Sequence, residues 1–96
     1  MASSKDYLLF VLELLRDIPD ITYKKMMGEF ILYKGNIIFG GIYDDRFLVK
    51  KTKSIVDMDF KEVIPYPNAK PMCLIDSEDS DEIKEIVNLI VKDLRK

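Results

Sequence analysis

Residues 28–50, GEFILYKGNIIFGGIYDDRFLVK, constrain the fold more than any other stretch. Apolar runs are punctuated by Lys34-Gly35-Asn36 and by Tyr43-Asp44-Asp45-Arg46. Gly and Asn reach the positive φ that two-residue hairpin turns require, and Asp bonds its own backbone two positions on. The pattern predicts three strands joined by two tight turns, hence an antiparallel meander. The middle strand, residues 36–43, is apolar on both sides. Strict alternation points Ile37, Phe39 and Tyr43 one way and Ile38 and Ile42 the other. A strand of that kind lies centrally, covered on both faces. Gly40-Gly41 inside it signals a bulge or the close approach of another backbone. In the next strand Phe47 and Val49 alternate with Arg46 and Lys50.

The flanks supply what covers the sheet. A helix is expected over residues 4–17, with Ser4 as N-cap, Asp6 in the first turn, and a stripe of Leu8, Val11, Leu12 and Leu15 widened by Leu9, Phe10 and Leu14. Pro19 stops it. A strand over residues 22–27 precedes Gly28. Residues 52–59 contain Ile55, Val56 and Met58 without Gly or Pro, and read as a short helix capped by Thr52. Residues 72–76 read as a strand. A last helix over 79–95 buries Ile83, Ile86, Val87, Ile90 and Leu94, with Asp79 and Glu82 spaced as a capping box. The sum is one domain over residues 1–96, a two-layer α+β fold. It has an antiparallel meander sheet with helices at its start, middle and end, on one face. The two-faced middle strand then calls for a homodimer, a second copy covering the open face.

Composition excludes more than it selects. Fifteen basic residues against 17 acidic give a net charge of −2, so no global field draws the chain to nucleic acid or an anionic membrane. There is no histidine, the commonest general base and transition-metal ligand. Cys73 is the single cysteine, set in an apolar run, and reads as a small buried hydrophobe. No P-loop, GxSxG or dinucleotide fingerprint is present. The expectation is a non-enzymatic, cytoplasmic protein without cofactor, catalytic residue or metal site. The N-terminal segment lacks the pattern of a secretory signal, and no apolar run approaches the length of a membrane span.

Three groups remain as candidate sites. Pro65-Tyr66-Pro67-Asn68-Ala69-Lys70-Pro71 fixes φ repeatedly and makes a stiff loop that docks at low entropic cost, with Tyr66, Pro67, Lys70 and Pro71 as contact residues. Lys24, Lys25, Lys50, Lys51 and Lys53 would form a basic patch for nucleic acid, against the plainer reading of a solvated face. Asp44 and Asp45 beside Lys50 would serve a small-molecule binder or enzyme, against the plainer reading of turn formers. The acidic run 76–82 lacks the glycine and terminal glutamate of a calcium loop and reads as acid at a helix N-terminus.

Lys25-Met26-Met27-Gly28-Glu29, Leu32-Tyr33, Gly35, Asp44-Asp45-Arg46, Leu48-Val49-Lys50 and Thr52 together resemble the N-terminal domain of the TfoX/Sxy competence regulators. The segment 65–71 running into Leu74-Ile75-Asp76 is similar to that of short, stand-alone members of the family. Met27 departs from it, standing where an aromatic residue usually precedes the glycine. The resemblance implies a secretion-chaperone-like α+β architecture and a regulatory role through a transcription-related protein partner. Its motif positions are Gly28, Gly35, Asp44, Asp45, Arg46, Lys50, Lys70 and Pro71, none of them catalytic.

Overall fold

The computed structural model describes residues 3–95. Two helices, α1 (Lys5–Leu14) and α2 (Ser80–Leu94), pack on one face of a six-stranded antiparallel sheet. Its strands are β1 (Ile21–Met26), β2 (Glu29–Lys34), β3 (Ile37–Tyr43), β4 (Arg46–Lys50), β5 (Glu62–Val63) and β6 (Met72–Leu74), in the spatial order β1-β2-β3-β4-β6-β5. The α+β expectation holds.

The hairpins follow the turn chemistry. Asp44 and Asp45 both have positive φ, 53° and 56°, as a turn twisted to match its strands requires. A third hairpin joins β1 to β2 through Met27 and Gly28, at φ 52° and 85°. Gly35 at φ 62° turns β2 into β3, and its N–H donates to Asp20 O at 2.9 Å.

The alternation predicted for β3 fails in its second half. Tyr33 pairs with Ile38 and Leu32 with Gly40, so Phe39 is an extra residue, a β-bulge. A bulge reverses the facing of everything beyond it. Phe39 and Ile42 therefore both enter the core, whereas Tyr43 joins Ile38 on the outer face. The glycines are required here. A Cβ on Gly40 would collide with the Leu48 carbonyl oxygen and lie 2.9 Å from Val49 Cα; one on Gly41 would lie 2.7 Å from Phe30 O.

The core is a single cluster between sheet and helices. Phe30, Leu32, Phe39, Ile42, Phe47, Val49 and Cys73 face Leu8, Val11, Leu14 and Leu15 of the first helical segment and Ile83, Ile86, Val87, Ile90 and Val91 of α2. Full burial of a side chain such as Phe39 or Leu32 contributes about 1.5–3 kcal/mol. Leu9 and Phe10, expected to widen the α1 stripe, are exposed, and Leu94 is half-buried with Val91 taking its place.

Helix α1 is shorter than expected. Leu15 N–H is shared between the carbonyls of Val11 and Leu12, both at 3.1 Å, and the chain tightens into a turn that buries Leu15 and Ile18. Ser4 caps the helix by accepting from Tyr7 N–H at 3.1 Å. At α2, Asp79 Oδ1 accepts from the N–H groups of Asp81 and Glu82, at 3.0 and 3.4 Å. The reciprocal half of the expected capping box is absent: Asp79 N–H donates to Ser77 Oγ at 3.1 Å instead.

The middle helix is only a 3-10 turn, Val56–Met58. Asp59 at φ 59° ends it in the left-handed region. Ile55 is fully buried and anchors the segment, while Val56 and Met58 are exposed, so no helical stripe exists to extend. Ser54 ties it to α2 through Asp93, whose carboxylate accepts from Ser54 N–H and Oγ, both at 2.7 Å.

Candidate interaction groove

The connection between β5 and β6, residues 64–71, carries the prolines. Within it Pro67 and Asn68 form a turn in which Ala69 N–H donates to Tyr66 O at 3.1 Å. Proline fixes the first central φ and Asn68 takes the positive φ, 70°, demanded at the second. The loop lies over the outer face of the sheet, where Tyr43 and Leu48 are buried although they belong to neither helix-facing layer. The ring of Tyr66 sits 6.2 Å from that of Tyr43 at an interplanar angle of 48°. Part of the face expected to need a second copy is thus covered by the chain itself.

Two cavities open between loop and sheet, and Tyr43, Pro65 and Tyr66 line both. One, of about 730 Å³, is bordered by Met26, Met27, Glu29 and Ile31. The other, of about 430 Å³, is bordered by Ile38, Lys50, Lys51, Lys70 and Met72. The tyrosine pair therefore divides a groove with an apolar end and a basic end. Burial, then the neighbouring Tyr66 and the charge of Glu29, push the Tyr43 hydroxyl above its ordinary pKa. It stays neutral and keeps its proton as a donor at physiological pH.

The lysines expected as one patch are divided. Lys24 and Lys25 lie on β1, on opposite faces of a strand three inter-strand spacings from β4, about 15 Å away. Lys51 Nζ is paired with Glu62 at 3.0 Å. Lys53 is exposed beyond β4 and lines neither cavity. Lys50 and Lys70 of the loop both line the basic end, and neither forms an ion pair among the described residues. Of the loop residues, Tyr66, Lys70 and Pro71 line a cavity, while Pro67 is exposed at the turn tip.

The motif residues are mostly architectural. Gly28 and Gly35 hold positive φ. Arg46 Nε closes its own hairpin by donating to Tyr43 O at 3.2 Å. Asp45 Oδ1 accepts from Ser4 N–H at 2.7 Å, and Asp44 N–H donates to Glu29 Oε2 at 3.1 Å. Asp44 and Asp45 belong to the hairpin turn and line neither groove cavity, so Lys50 is not brought into one site with them. Sequence reasoning missed Met26, Ile31 and Tyr43 as groove residues. The facing of Tyr43 depends on the bulge, and an exposed methionine leaves no periodic signal.

Among the described residues no group of acidic or cysteine side chains is arranged to hold a metal ion, and no helix is long and apolar enough to cross a membrane. No protein-family model matches the chain, and no curated protein matches it.

Proposed function

We propose that this chain is a non-enzymatic protein-interaction module, docking an extended segment of a partner protein into the groove between loop 64–71 and the outer sheet face. One observation carries the reading. Met27 is 97% exposed and holds a left-handed backbone conformation at the rim of the apolar cavity. Glycine or asparagine would be more stable at that position, and a local rule broken this way points to use of the side chain. Met26 and Tyr66 add exposed apolar surface to the same rim. Methionine adapts its shape to irregular partners.

The occupant is set by charge complementarity. The chain is net negative, yet the far end of the groove presents Lys50 and Lys70. A segment with apolar residues at one end and an acidic residue at the other fits that gradient. The TfoX-like residues suggest a transcription-related regulator in the cytoplasm as the source of the segment. The test is affinity capture from a lysate of the source organism, nuclease-treated, with wild-type, Met27→Asp and Lys70→Glu chains. A protein retained by the wild type and lost from both variants supports the reading. Equal capture by all three, or capture abolished by nuclease, overturns it.

A further inference from the structure

We propose that the basic cavity beneath loop 64–71 binds a small aromatic phosphate monoester, of about mononucleotide size, in competition with the acidic end of any docked segment. The cavity, a cleft open to solvent, has a volume of about 430 Å³, within the range of small-molecule sites. Its lining has two chemically distinct parts. Lys50 from β4 and Lys70 from the loop bring two cationic side chains into one concavity, and Lys51, already paired with Glu62, stands beside them. Like charges gathered in a cavity repel one another, and a dianion relieves that repulsion while matching two unpaired ammonium groups. Lysine binds phosphate as a point charge and needs no bidentate geometry.

The second part is the tyrosine pair. Tyr43 and Tyr66 border the same cavity, with Ile38 and Pro65 adding apolar wall. A flat ring fits such a lining, since aromatic faces stack on planar groups without sequence-like selectivity. Tyrosine hydroxyls and lysine ammonium groups supply donors, and an ionised phosphate oxygen is an acceptor. Glu62 is ion-paired with Lys51 at 3.0 Å, and among the described residues no acidic side chain lines this cavity.

Lys50 sits on the sheet and Lys70 on the loop, so an anion held between them fastens the loop to the sheet. Tyr43 and Tyr66 are shared with the apolar cavity, and an occupied basic end fixes the wall that the apolar end presents.

The experiment is an NMR and calorimetric titration of the full chain with adenosine 5′-monophosphate, phenyl phosphate, adenosine and inorganic phosphate. Both monoesters should bind with submillimolar Kd and shift the amides of Lys50, Lys70, Tyr43 and Tyr66. Lys50→Glu and Lys70→Glu should each weaken them tenfold or more, with the fold checked by amide dispersion, while Lys24→Glu changes nothing. Adenosine binding as well as its monophosphate would overturn the phosphate assignment. Inorganic phosphate binding as well as the monoesters would overturn the aromatic one. Absence of binding at millimolar concentration, or equal weakening by Lys24→Glu, would overturn the site. Lys70→Glu bears on both readings, whereas Met27→Asp bears on docking alone and should leave these titrations unchanged, so the two readings fail separately.

Discussion

The Glu29 carboxylate accepts the Ser3 hydroxyl at 2.7 Å, fastening the N-terminal segment to the first residue of β2. The same Oε1 accepts Ser3 N–H at 3.0 Å, and Oε2 accepts Asp44 N–H at 3.1 Å. Ser3 Oγ in turn accepts Asp45 N–H at 3.0 Å. One acidic side chain thus joins the start of the chain, the β1–β2 hairpin and the β3–β4 turn.

Replacing Glu29 by alanine removes three hydrogen bonds to a carboxylate, although Ser3 N–H keeps Gly28 O at 3.0 Å, the Ser3 hydroxyl keeps Ile42 O at 3.3 Å, and the exposed Asp44 N–H turns to water. The expected loss is about 1–3 kcal/mol, with Glu29→Gln losing less because one amide oxygen remains. Chemical denaturation measures both, and a loss below about 0.5 kcal/mol for the alanine variant would show that water replaces the carboxylate freely.

Gly41→Ala should cost roughly 1–3 kcal/mol by overpacking, because the new methyl meets the Phe30 carbonyl oxygen at 2.7 Å and the Tyr43 ring at 2.8 Å. Gly35→Ala meets nothing within 4 Å and bears only the strain of its positive φ, about 1 kcal/mol. Thermal unfolding of the two variants should also separate them by the tyrosine signals. Gly41→Ala disturbs Tyr43 and Gly35→Ala does not.

Met27→Asn should stabilise the chain by a few tenths to about 1 kcal/mol, since asparagine tolerates the left-handed conformation and no buried contact is lost. Partner capture should fall at the same time. A stabilised chain with undiminished capture would remove Met27 from the interface.

The hydroxyl of Ser54 holds the Asp93 carboxyl below its ordinary pKa, helped by the nearby Thr52 hydroxyl and then by the Ser54 backbone N–H. A folded-state pKa below the unfolded one contributes stability above the unfolded value and loses it as pH falls through the folded value. Ser54→Ala should therefore return the Asp93 titration toward the ordinary aspartate range and flatten the acid limb of the stability curve. Carboxyl-carbon NMR titration reads the shift directly. An unchanged Asp93 midpoint would assign the effect to other groups.

Cys73 faces the core, and burial first, then Glu62, raises its thiol pKa against the opposing pull of Lys51. Thiolate is the reactive species, so a disulfide reagent at pH 8 should label the native chain far more slowly than the denatured one. Equal rates would mean that β6 opens readily.

The two terminal helices, their N-caps and two of the hairpin turns were legible because each is a local signal: Ser4 and Asp79 before apolar stripes, Gly35 and Asp44-Asp45 between apolar runs. The α2 stripe is right through Ile90 for the same reason. What was misread depends on distance. The facing of Ile42 and Tyr43 is set by the bulge at Phe39, which the Gly40-Gly41 pair announced without giving its direction. The 52–59 segment has apolar residues, but Ile55 alone is buried, because the segment is held to α2 by Ser54 and not by an apolar face. Of the candidate site, loop 64–71 was legible from its prolines. Its meeting with Lys50 was not, since strand order places β6 beside β4 and no local pattern encodes that.

That strand order has a kinetic meaning. Every neighbouring pair in the sheet is also adjacent along the chain, apart from β4 and β6. Contacts close in sequence cost the least loop entropy, so the four-strand meander is expected to pair before β6 joins it, and β5 reaches the backbone ladder only through β6. The groove lies between loop 64–71 of the β5–β6 unit and the outer face of the meander. The groove therefore persists only while the seam between β4 and β6 stays closed, although the first four strands pair without it.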